Sequence, residues 1–134
     1  MGNPHAVHFT ETPVSDFPLS AIGPAIEQNE LFPNRVNFEI VNLIAPGHVR
    51  ARVWERGAGE TLACGTGACA IGVAARLAGF TGLRTIVSLS GGDLEIEWDG
   101  LGDVYLSGPA VEVFRGEWLA DALMQSVNAA RGTA

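Results

Sequence analysis

An α+β domain, built as a curved mixed or antiparallel sheet wrapped around a central buried helix, is the fold class this sequence predicts, and three observations predict it. Segments on either side of Ala45-Pro46-Gly47 alternate apolar and polar residues with the period of two expected of strands. The stretch Ala63–Leu77 is almost wholly small or apolar, with Arg76 its single charge, so a helix there has no polar face and must be enclosed. Strand-like segments outnumber helical ones, in an order that is not a regular βαβ alternation.

Each element follows from local pattern. His5–Phe9 reads as a short strand after a Gly-Asn-Pro turn, and Leu19–Gln28 carries apolar residues at near-helical spacing. Phe32-Pro33-Asn34 turns the chain. Val36, Phe38 and Ile40 then alternate with Asn37 and Glu39, which predicts a strand with one buried face. After Ala45-Pro46-Gly47 the segment His48–Glu55 puts Val49, Ala51 and Val53 on one side and Arg50, Arg52 and Trp54 on the other, completing a hairpin. The small-residue helix ends at Gly79 and Gly82, because glycine readily takes the left-handed conformation that closes a helix. Thr85–Leu89, Gly91-Gly92 and Leu94–Trp98 predict a second hairpin. Val104–Leu106 and Val111–Phe114 predict two more short strands, and Glu117–Ala130 has helical spacing at Leu119, Leu123 and Val127.

A chain of 134 residues suits one domain, 1–134, and 47% apolar with 17% charged residues lies in the globular range. The net charge of −7 repels polyanions, so nucleic acid and acidic lipid surfaces are poor partners, whereas a small zwitterion tolerates the field. No apolar run reaches the roughly 18 to 20 residues of a membrane span. Two cysteines five positions apart do not make a disulfide framework, and no leader-like segment is seen, so the expectation is a reducing cytoplasm.

The residues with chemistry concentrate in Trp54–Gly67, where a strand end passes through a glycine loop into the start of the small-residue helix. Backbone N–H groups and the helix dipole at such a start favour an anion, which suits a carboxylate and lowers the pKa of a thiol at Cys64. A buried cysteine packing as a small hydrophobe is the competing reading. Cys69 lies about 140° around the helix from Cys64, so the two do not form a redox pair and Cys69 reads as core. Glu55 and Arg56 point to opposite faces unless the glycines after them bend the chain. A carboxylate and a guanidinium together would suit the ammonium and carboxylate of an amino acid. His5, His8 and His48 have no spacing that suggests a metal site, and the glycines fit neither a Walker nor a dinucleotide pattern.

The string ERGAGETLACGTGACA (Glu55–Ala70) closely resembles the second cysteine motif of diaminopimelate epimerases. GNPHAV, FPNRVNFE, SGGDLEIEW and GPAVEVFRGE resemble other blocks of the same half, in the family's order, from Gly2 to Glu117. The resemblance implies the C-terminal half of an isomerase of lysine and peptidoglycan precursor biosynthesis. That enzyme inverts an amino-acid α-carbon without pyridoxal or other cofactor and without metal, one cysteine thiolate removing the α-proton while a second thiol delivers one to the opposite face. Cys64 matches one of the two. By the same resemblance, the amides of Gly65 and Thr66 hold the reacting carboxylate, Glu55 accepts from the α-ammonium, and Asn3, Asn37 and Arg56 hold the distal end of diaminopimelate. His5 corresponds to a residue that assists proton transfer. The other cysteine belongs to a first domain that this sequence does not contain, so the chain alone is expected to be inactive and to need that domain or a second copy as partner. Competing readings are a non-catalytic amino-acid-binding or interaction domain, and a related racemase or isomerase with another substrate.

Overall fold

The computed structural model describes residues 1–117. Strands β1 (His5–Phe9), β2 (Asn37–Ala45), β3 (His48–Glu55), β4 (Gly59–Thr61), β5 (Arg84–Leu89), β6 (Gly92–Glu97) and β7 (Tyr105–Ser107) form one mixed sheet. Its order is β1-β2-β3-β5-β6-β7, with β4 folded back on β3. The β1/β2 and β3/β5 pairs are parallel and the remaining pairs are antiparallel. Helices α1 (Leu19–Glu27) and α2 (Gly65–Leu77) pack on opposite faces.

The two faces follow from the alternation of side chains along each strand. On β1, β2 and β3 the odd-numbered residues face α2: Val7, Phe9, Val41, Val49, Ala51 and Val53 share one core with Ala68 and Ile71. Even-numbered residues face α1, where Ala6, Phe38, Ile40 and Trp54 pack with Leu19, Ile22 and Ile26. Both faces of β2 are therefore covered. This corrects the expectation of one buried face, because Asn37 and Glu39 are as buried as the apolar residues they alternate with. A second layer over each face, invisible in the strand's own alternation, is the physical reason.

The small-residue helix is enclosed by β1, β2, β5, β6 and β7. Its small side chains allow close approach: a Cβ on Gly72 would stand 2.6 Å from Ile96 Cγ2. The enclosure is less complete than expected, since Gly65, Thr66 and Leu77 at its two ends are exposed. After Leu77 the helix closes through Ala78 and the positive-φ Gly79, with Phe80 N–H donating to Ala75 O and Gly79 N–H to Arg76 O, the paired bonds of a Schellman closure. The predicted strand at Val111–Phe114 is not formed: those residues make no ladder, and Val111, Val113 and Phe114 are exposed. Apolar alternation makes a strand only where an edge is present to pair with it. Beyond Glu117, which is not helical, the predicted helix lies outside the described residues. No helix among the described residues is long and apolar enough to cross a membrane.

Candidate functional site

Three strand ends meet at the start of α2. Parallel pairing sets His5 beside Asn37, and antiparallel pairing sets Phe38 beside Trp54, so the beginnings of β1 and β2 lie next to the end of β3. The odd-numbered residues there, His5, Asn37, Glu39 and Glu55, lie on the α2 face by the same alternation that buries Val41 and Val53. Strand register alone thus gathers four polar side chains at one end of an otherwise apolar face.

Cys64 is the N-cap of α2. It is extended (φ −139°, ψ 111°), and its sulfur accepts from Gly67 N–H at 3.4 Å where a serine or threonine oxygen often serves. The side chain is a free thiol with only 7% exposure, and Thr66 Oγ1 lies 3.6 Å from Sγ. Gly65 and Thr66 are exposed, and their amides meet no acceptor among the described residues. The expected acidic thiol is corrected. Burial pushes the Cys64 thiol above its ordinary value, and the nearby Glu55 carboxylate adds to this, while the Thr66 hydroxyl and Gly67 amide offset only part. Desolvation disfavours the thiolate, and it is the largest of these effects.

The remaining expected residues surround this turn. Glu55 ends β3 and accepts from Thr61 Oγ1 at 2.6 Å, and it lies close enough to Cys64 to act on its thiol. Arg56 is exposed at the start of the turn that Gly57 (φ 79°) and Gly59 (φ 83°) permit; its Nη1 donates to Asn34 O at 2.8 Å. Asn37 is buried and accepts from Arg56 N–H at 2.8 Å, so its carbonyl fixes the turn. Asn3 Nδ2 donates to Thr66 Oγ1 at 3.2 Å, tying the segment before β1 to the helix start. Cys69 packs at the border of the core, as expected. No cluster of three potential metal ligands occurs among the described residues.

Three contributors were not singled out by the sequence reading. Glu39, wholly buried, lies 2.6 Å from His5 Nδ1, and Thr61 supports Glu55. Glu27, at the end of α1, accepts from Trp54 Nε1 at 2.8 Å, from Gly57 N–H at 3.0 Å and from Arg35 Nη1 at 3.3 Å, which braces the Glu55–Gly59 turn from the opposite face. Trp54, first among the causes, holds the Glu27 carboxyl below its ordinary value against the opposing effect of burial. The available signal was Glu39 itself, a charge inside the β2 alternation. A cavity of about 660 Å³ lies at the far end of β2, lined by Phe9, Thr10, Val41, Leu43 and Phe80 among others, and shares no residue with this site.

The amino-acid sequence that forms this site is similar to that of known proteins. The family model described as "Diaminopimelate epimerase" covers residues 1–113. Proteins named diaminopimelate epimerase are 51% identical over 122 residues in Moorella thermoacetica, 55% over 118 residues in Acetivibrio thermocellus and 52% over 116 residues in Synechococcus elongatus. These matches take in 90%, 87% and 87% of this chain but only 43%, 42% and 41% of the respective relatives, so the chain spans about two-fifths of their length. With its cysteine-capped helix, its converging strand ends and a match over most of its residues, the chain belongs to the diaminopimelate epimerase family.

Proposed function

We propose that this chain is the substrate-holding, C-terminal-type half of a cofactor-independent diaminopimelate epimerase, acting in the cytoplasm to interconvert the LL and meso forms. The observation that carries the reading is Cys64, whose sulfur sits on the first turn of α2 between open backbone amides and the Glu55 carboxylate. In this reading the amides of Gly65 and Thr66 bind the α-carboxylate, where charge develops as the α-proton leaves, and fixed donors at that point stabilise the transition state. Glu55 accepts from the α-ammonium. Arg56, on a turn anchored by Asn37, receives the distal carboxylate together with Asn3.

The raised thiol suits one half of a two-cysteine inversion. At neutral pH Cys64 is the protonated member, which gives its proton to one face of the carbanion after a thiolate on the opposite face has removed the substrate's own. Cys69 cannot be that second sulfur, because it lies further along the same helix and packs against the core. A second cysteine-bearing domain, or a second copy of this chain, supplies it.

The test is α-hydrogen exchange in deuterated water with diaminopimelate. For this chain alone we expect slow exchange that rises with pH, no inversion, and loss of exchange in Cys64→Ala. Exchange that survives Cys64→Ala would refute the assignment of this thiol, and ready inversion by a verified monomer would refute the need for a partner. An absence of both exchange and substrate binding would favour a non-catalytic domain or another substrate.

A further inference from the structure

The His5–Glu39 pair is the most enclosed polar contact of the site. Its side chains are 5% and 0% exposed, and His5 Nδ1 lies 2.6 Å from Glu39 Oε1. The other atom of each group, His5 Nε2 and Glu39 Oε2, is buried without a hydrogen-bond partner among the described residues. Such a pair is costly in a core, because each polar atom left without a partner has lost its hydration and gained nothing in return. It also stands beside the chemistry: a Cβ placed on Gly67 would lie 3.1 Å from Glu39 Oε1 and 3.3 Å from Cys64 Sγ, so carboxylate and thiol flank a single point over the first turn of α2. Glycine at that position is what lets both approach.

We infer that Glu39 is a positioning residue that holds His5 as its Nδ1–H tautomer, leaving the Nε2 lone pair as the proton acceptor of the pair. This deepens the reading of His5 as a proton-transfer group and rests on it. Heavy-atom positions leave the proton to chemistry, and chemistry decides here. Imidazole is ordinarily about two pH units more basic than a carboxyl group, so the shared proton stays on nitrogen and the carboxylate accepts. Burial first, with a smaller push from Glu55, keeps the Glu39 carboxyl above its ordinary value, and the His5 hydrogen bond and charge offset only part of this. The parallel register places His5 next to Asn37 and Val7 next to Glu39, so the carboxylate reaches the ring from the neighbouring strand and fixes its rotation as well as its tautomer. A proton taken up at Nε2 leaves its bonding electron pair on the donor and makes the ring an imidazolium. The imidazolium so formed already has its counter-charge at Glu39, which is the arrangement that favours an acceptor buried away from water.

The experiment is nitrogen-15 NMR of the His5 ring in this 134-residue chain, which requires no epimerase activity. We expect Nδ1 to carry the proton at pH 8 in the native protein. In Glu39→Met, which removes the acceptor at similar volume, the ring should revert to the Nε2–H form that free histidine favours. Glu39→Gln, which keeps a neutral acceptor and guards against misfolding of the Met variant, should give an intermediate population, with folding of each checked by circular dichroism. A native Nε2–H ring, or a ring whose tautomer is the same in all three proteins, would overturn the inference. If the tautomer shifts as expected while α-hydrogen exchange is absent, Glu39 positions His5 and it is the epimerase reading that fails.

Discussion

Cys64 caps its own helix with its sulfur, and it is the burial of that sulfur that sets the direction of its ionisation. An amide and a hydroxyl point at the sulfur, yet burial keeps the proton on. Because the folded chain holds this proton more tightly than the unfolded chain does, the thiol's stabilisation is complete below the ordinary thiol pKa of about 8.5. It is lost as pH rises past that value toward the folded one. Native protein should therefore lose stability relative to Cys64→Ala between pH 8 and 10, as read by urea unfolding at each pH; a difference constant over that range would show that the thiol is not shifted upward. Glu39 is the residue-scale counterpart, a carboxyl raised mainly by burial and partly restored by His5. Its burial was hidden in the sequence because Glu39 occupies the polar phase of an alternating strand, and alternation reports which residues share a face, not what covers that face.

At the scale of elements, α2 works because it lacks bulk. Its glycines and alanines bring backbone against β6 and against the polar ends of β1 and β2; a methyl group would collide at Gly72 and make a tight contact at Gly67. Gly72→Ala should be destabilising: overpacking against Ile96 costs about 1–3 kcal/mol, against a helix-propensity gain of about 1 kcal/mol. A double-mutant cycle with Ile96→Ala checks the cause, since the two losses should sum to more than that of the double variant if the clash is real. The turn after β3 depends on α1 and on β2. Glu27 of α1 accepts from Gly57 N–H on one side, and Asn37 of β2 accepts from Arg56 N–H on the other, so the turn that presents Glu55 and Arg56 is held from two faces of the sheet.

At the scale of the described residues, the two cores are built by β1, β2, β3, β5 and β6 with the two helices, while residues 109–117 are exposed and stand apart from them. Val113 is 88% exposed and Phe114 84%, in a stretch whose alternation is that of a strand. Replacing Val111, Val113 and Phe114 together with serine should change the unfolding free energy of this chain by no more than about 0.5 kcal/mol, the range of surface substitutions. A larger loss on urea unfolding would show that the segment packs against the core in solution. The acidic surface, with a net charge of −7, is compatible with a small zwitterionic substrate and unfavourable for a polyanion.

The sequence by itself determined the α+β class, the two hairpins, the buried small-residue helix and the place of Cys64 at its start, because these rest on short-range periodicity, on glycine turns and on a dense local motif. Glu55 and Arg56 stood out as candidates beside Cys64 in the local sequence, whereas His5, Asn3 and Asn37 were legible as candidates only through family resemblance, since nothing local relates them to Cys64 so far along the chain. Tertiary structure decided which of them meet. The parallel β1/β2 register brings the segment around His5 to Glu39, the second layer of helix buries the polar phase of β2, and desolvation reverses the expected direction of the Cys64 thiol. Each of these depends on what packs across a strand face rather than along the chain, and periodicity carries no information about the layer on the other side.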